Sequence, residues 1–151
     1  MKRMIIALLV ACCCIPAGAQ HLDFCGVELT GNIREFPKKM EEKGFKLKQK
    51  RSDDDFYIFE GRFCGQKMFV NIHYTPKSHT VYQARVTPRN VNEEQLLDSM
   101  LTTYGSDFES KGESYQWVRE NGGIFYIQKN GFDPYIIFMD AEGMALMKKE
   151  N

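Results

Sequence analysis

The side chains of this chain best able to do chemistry are five cysteines, three histidines and the run Asp53-Asp54-Asp55. A redox or nucleophilic thiol calls for a Cys-x-x-Cys pair or a histidine close by, and neither Cys25 nor Cys64 has one. A zinc site would need His73 and His79 together with a third ligand from elsewhere, and His21 stands alone near the N-terminus. Three consecutive aspartates lack the alternate spacing and the distal glutamate of a calcium loop. Gly-x-Gly-x-x-Gly, Walker, Gly-x-Ser-x-Gly and His-Glu-x-x-His patterns are all missing from the sequence. The chain therefore reads as non-enzymatic, with no cofactor, no metal and no catalytic residue implied.

The first 19 residues read as an export tag. Met1-Lys2-Arg3 is a short positive region, Met4 to Ile15 is apolar, and Ala17-Gly18-Ala19 offers small residues for cleavage before Gln20. The apolar run is too short to span a bilayer. Leu9-Val10-Ala11-Cys12 resembles a lipobox, so a membrane anchor enters only if Cys12 is lipidated. Cleavage after Ala19 removes Cys12, Cys13 and Cys14 and leaves two cysteines in an oxidising compartment, periplasmic or secreted. A Cys25–Cys64 disulfide is then expected. Closing a loop across the 39 positions between them would stabilise the chain by roughly 4 kcal/mol in the chain-entropy account. Losing Lys2 and Arg3 leaves 18 basic against 20 acidic side chains, no global field for nucleic acid.

The elements that would position these residues follow from periodicity. Asn32 with Glu35 opens a helix towards Lys43, with an irregular first turn at Pro37 and a stop at Gly44. The lysines from Lys38 to Arg51 fit either a basic docking patch or, more plainly, a solvated helix face followed by an edge strand guarded by charge. Strands are expected over Phe56–Phe63, Lys67–Tyr74 and Thr80–Val86. Met68, Val70, Ile72 and Tyr74 share one face of the second of these. Asn92 caps a second helix that ends at Tyr104-Gly105. Strands follow at Tyr115–Val118, Ile124–Lys129 and Tyr135–Asp140, then a turn at Asp140–Gly143 and a short last strand at Met144–Met147. The residues up to 19 are thus the tag, and 20–151 form one α+β domain. Its pseudo-repeats cover about 27–88 and 90–147, giving an antiparallel sheet with two helices on one face.

In the second half, the Tyr104-Gly105 helix end, Trp117 opening a strand and the closing run Ile136-Ile137-Phe138-Met139-Asp140-Ala141-Glu142-Gly143-Met144 carry a resemblance. The order is similar to outer-membrane assembly lipoproteins of the SmpA/OmlA type and to the β-lactamase inhibitor protein fold, a tandem of such units. That resemblance implies non-enzymatic proteins that grip other proteins with a sheet face and loops. The Gly-Met-Thr helix opening of the assembly lipoproteins is missing here, and no family binding residue maps onto this chain by motif. From the residues themselves, the suspect surface is the sheet face away from the helices, carrying Phe69, His73, Tyr115, Trp117, Ile136 and Phe138. The plainer reading is that tail and loops cover these residues, or that the faces are assigned one position out. The expected function is an exported binder of another macromolecule, of inhibitor, immunity or accessory type, whose partner is a protein in the envelope or outside the cell. The rivals are an envelope assembly factor and a binder of small apolar ligands.

Overall fold

Alternation of apolar and polar residues, broken by glycine turns, organises the described residues into ten strands and three α-helices. A computed structural model describes residues 21–129 and 132–151. The export tag, the cleavage point after Ala19 and Cys12 lie outside the described residues. The order is β1 (Asp23–Phe24), β2 (Val27–Glu28), α1 (Phe36–Glu42), β3 (Lys46–Arg51), β4 (Phe56–Phe63), β5 (Gln66–Tyr74) and β6 (Val81–Thr87). There follow α2 (Glu93–Tyr104), β7 (Glu109–Lys111), β8 (Ser114–Arg119), β9 (Gly122–Lys129), β10 (Phe132–Asp140) and α3 (Ala141–Glu150).

Eight strands form one antiparallel sheet in the order β3-β4-β5-β6-β10-β9-β8-β7. Each half of the chain is a helix followed by a four-stranded meander, and the two meanders join through their last strands, β6 against β10. The α+β class expected from the sequence holds. The charged strand β3 is an edge, and its lysines face water, which blunts pairing with other chains.

Paired residues share a face, so the register separates the two sides of the sheet. On one side lie Tyr57, Phe59, Val70, Ile72, Ala84, Val86, Ile136, Phe138, Ile124, Tyr126 and Trp117, all buried. This is the core face. α1 lays Phe36 and Met40 on it, and α2 lays Leu96 and Met100. Burial of each such side chain contributes roughly 1.5–3 kcal/mol. The lead-in hairpin β1–β2 plugs the centre. Phe24 packs against Phe45, Phe63 and Phe138 at 5.4, 5.5 and 5.1 Å between ring centres.

The helix ends follow their residues. Asn92 Oδ1 accepts from Gln95 N at 3.0 Å, and Gly105, at φ 91°, ends α2. In α1 the regular turns begin only at Phe36, beside Pro37, and Asn32 instead bridges to Thr80. Pro37 sits where its missing N–H would have no helical partner in any case.

The expected strand at Met144–Met147 is not one. Residues Ala141–Glu150 form α3, capped by Asp140, whose Oδ2 accepts from Gly143 N at 2.8 Å. The short apolar run fits either period. Asp140 as cap, Glu142 in the first turn and Lys148 and Lys149 in the last decide it for a helix. α3 stands apart from the main core, on Tyr82 of β6, so closely that a Cβ at Gly143 would overlap that side chain. The polar stretch Ser106–Ser114, expected as a loop, contains the three-residue edge strand β7.

Candidate functional site

The opposite side of the sheet is apolar but open. Three rows cross it. Phe56, His73, Gln83 and Met139 make one, Ile58, Asn71, Arg85, Ile137 and Phe125 the next, and Glu60, Phe69 and Thr87 a third, with Tyr135 and Ile127 alongside. The apolar members are half-buried, neither sealed nor fully wet. Between Phe56, Ile58, Phe69, Asn71, Thr87 and Arg89 lies a depression of about 320 Å³.

Cations lie over this floor. The Arg85 guanidinium sits 4.7 Å from the Tyr135 ring centre, that of Arg89 lies 5.4 Å from Phe69, and that of Arg51 lies 5.9 Å from Phe56. Arg51 is also held by Asp54 at 2.9 Å. Glu60 lies between Lys48 at 3.7 Å and Lys67 at 3.2 Å. Stacking on a ring face holds a guanidinium through its flat side and leaves its N–H edge for a second partner.

His73 packs at a tilt of 44° against Phe56, 5.0 Å between ring centres, and its Nε2 is buried without a hydrogen bond. Burial, helped by the Arg85 charge, pulls its pKa down to about 4. It is therefore a neutral ring at physiological pH and part of the apolar floor.

The six residues expected to share this surface divide. Phe69 and His73 lie on it. Trp117, Ile136 and Phe138 do not: they are buried in the core, at 2%, 0% and 0% exposure. Tyr115 is on the core side too, packed on Phe108 and Tyr126 at 5.2 and 5.9 Å. The Trp117 indole donates from Nε1 to the Gly105 carbonyl at 2.8 Å, pinning the end of α2 to β8. The face was one position out in β8 and β10. Tyr135 and Ile137 lie outward in place of Ile136 and Phe138, and polar Gln116 was the signal that Tyr115 and Trp117 turn inward. Arg85 and Arg89 were missed because a single arginine at a strand end reads as ordinary surface charge.

Cys25 and Cys64 are free thiols in the structure, so the expected disulfide is not formed. They occupy matching turns, Phe24-Cys25-Gly26 and Phe63-Cys64-Gly65, each with positive φ at both central residues (51° and 77°, 50° and 75°). The preceding phenylalanines stack at 5.5 Å, which brings the two turns side by side. Burial, with the neighbouring thiol adding to it, pushes Cys25 up to about 12, and burial alone pushes Cys64 to about 11. Both thiols stay protonated at neutral pH, a poor state for nucleophilic or metal chemistry. His79 stacks on Tyr74 at 5.7 Å, away from the open-face contact of His73 with Phe56. Among the described residues no group of three or more His, Cys, Asp or Glu side chains could hold a metal ion, and no helix is long and apolar enough to cross a membrane.

Compared with family models, curated proteins and solved structures, the chain matches none of them.

Proposed function

We propose that this chain is an exported, non-enzymatic binding protein that grips another macromolecule, of inhibitor, immunity or accessory type, with the open face of its sheet. One observation carries the reading. Half-buried aromatic and aliphatic side chains stand on β4, β5, β10 and β9 on either side of the polar Gln83, Arg85 and Thr87 of β6, where two helices on the other side already make a complete core. Folding alone gives no reason for a second apolar face, whereas a partner does. The tandem of helix-plus-meander units supports the resemblance to the SmpA/OmlA and β-lactamase inhibitor type of fold.

Export by cleavage after Ala19 belongs to the same reading, as does oxidation of Cys25 and Cys64 to a disulfide outside the cytoplasm. Two adjacent turns with matched geometry favour that bridge. Thiol titration of unfolded, unreduced protein should find none; two free thiols would remove it. Intact mass of the exported protein tests the tag. A mass beginning at Gln20 is expected, and a diacylglycerol adduct on Cys12 would favour the envelope-assembly alternative.

The functional test is capture of a partner from native envelope and culture fluid by wild-type protein and by Phe69→Ser. A partner held by the first and lost by the second is the expected result. Equal capture would move the site off the open face. Trp117→Ala is unsuitable as the probe, because it empties the core.

A further inference from the structure

Resting on that reading of the open face, we infer that its partner presents an acidic segment of polypeptide, with an apolar side chain seated in the depression beside Phe69 and carboxylates on Arg85 and Arg89. The argument is charge complementarity on an apolar floor. No acidic side chain is among the described residues lining the depression, whose rim carries Lys48 and Arg89. Glu60, the nearby carboxylate on the same face, is already held by Lys48 and Lys67. Arg51 is likewise engaged by Asp54. Arg85 and Arg89 differ from these cations. Each is exposed, stacked on a ring and joined to no carboxylate among the described residues.

A guanidinium held flat by an aromatic ring has lost much of its rotamer freedom already. Its planar N–H fork can meet a carboxylate at two points with little further ordering. The same contacts cover part of the Tyr135 and Phe69 rings, which are half-buried beneath guanidinium groups that stay in place for a partner to meet. His73 adds no charge at neutral pH, so the surface keeps a cation-on-aromatic character there. Arg85 lies in the central row, between Asn71 and Ile137, and Arg89 follows the end of β6 beside Phe69. A chain laid along β6 would pass both. Aromatic and aliphatic anchors ringed by charge pairs give both affinity and register.

The test is selection from a random 12-residue peptide library on the full exported chain, with wild type, R85Q/R89Q and Phe69→Ser compared. Peptides rich in Asp and Glu with at least one Phe, Tyr or Leu should be enriched. They should bind the double arginine variant at least tenfold more weakly, with its melting temperature unchanged. Peptides that depend on Phe69 but are not acidic, or that ignore both arginines, would overturn the acidic assignment and leave the binding face standing. Absence of any peptide dependent on Phe69 would overturn both. Two parallel arms cover other occupants. Retention on phosphatidylglycerol vesicles that is lost in R85Q/R89Q, or dimerisation lost in Phe69→Ser, without acidic peptides, would give the face to anionic lipid or to a second copy and overturn the proposal.

Discussion

One sheet here has two faces with different fates. On the core face an unbroken series runs from Tyr57 through Ile72, Ala84 and Phe138 to Trp117, with no polar side chain among the buried pairs. On the open face Asn71, Gln83, Arg85 and Thr87 interrupt a floor that is otherwise nearly as apolar. The difference teaches that a run of hydrophobic residues does not by itself choose the covered side. Burying Asn71 or Arg85 under a helix would strand their polar groups, at roughly 1–3 kcal/mol for each unsatisfied one. The helices therefore take the uninterrupted side, and what remains on the other is surface available to a partner.

The sharpest way to break this comparison is to truncate one phenylalanine on each side. Phe138→Ala removes a ring in contact with Phe24, Phe63 and Tyr104 and should cost about 3–5 kcal/mol. Phe69→Ala should cost under about 1 kcal/mol. Urea unfolding of both variants gives the two values, and equal losses would mean that the open face is as much core as the other.

Next in size is the junction between the sides. Asp140 is fully buried, and its carboxylate accepts from Leu22 N at 2.8 Å, Gly143 N at 2.8 Å and the His21 ring at 3.2 Å. It thus holds the lead-in, which serves the core face, and α3, which sits apart from that core. Asp140→Ala should cost about 3 kcal/mol by leaving two buried amides without an acceptor. It should also open the chain near Leu22 to proteolysis before the sheet unfolds. Unchanged protease resistance there would mean the lead-in is held by its buried side chains and by Asn121, whose Nδ2 donates to the His21 carbonyl, without need of Asp140.

How far this was legible depended on polar punctuation. β5 alternates cleanly, and so does β6 from Gln83 on, so Phe69, His73 and Arg85 fall on the right side from sequence alone; before Gln83 a register shift turns Val81 into the core, against the alternation. β10 offers no such help: Tyr135-Ile136-Ile137-Phe138-Met139 is apolar on both sides, and only its pairing with Val86 and Ala84 fixes which residues turn inward. α3 was hidden for a related reason, since the apolar run Met144–Met147 fits either period and only the Asp140 cap and the charges at the two helix ends distinguish them. The cation-on-ring contacts are tertiary. Arg85 and Tyr135 are 50 positions apart, and no spacing rule joins them.

A smaller effect separates the faces by pH. His73 titrates at about 4 in the folded chain against an ordinary 6.5, so on acidification the unfolded chain takes up its proton first. Stability is full above about 6.5 and is lost as pH falls towards 4. The shift is worth about 3 kcal/mol at most, and about 2 kcal/mol after allowing for partial solvent screening of a half-buried ring. His73→Phe keeps the contact with Phe56, removes the orphaned Nε2 and should flatten the stability curve across that window. A slope unchanged by the substitution would move the acid sensitivity to another group.

The smallest expected effect lies at the far end of α3. Glu150 accepts from the Lys77 and Ser78 amides at 2.8 and 3.1 Å, tying the last helical turn to the β5–β6 connection. Its hydrogen bonds, those from Ser78 foremost, hold the carboxyl down at about 2 against an ordinary 4.5. The sign is that of any depressed carboxylate: the contribution is present above 4.5 and drains as pH falls through 2. The carboxylate lies at the surface, so the melting temperature of Glu150→Gln should barely move. Amide exchange is the better readout. Lys77 and Ser78 should exchange faster in Glu150→Gln than in wild type at pH 6, while amides of β5 stay protected. Protection unchanged at both positions would mean that the last turn of α3 does not hold the β5–β6 connection, and that α3 is anchored from its first turn.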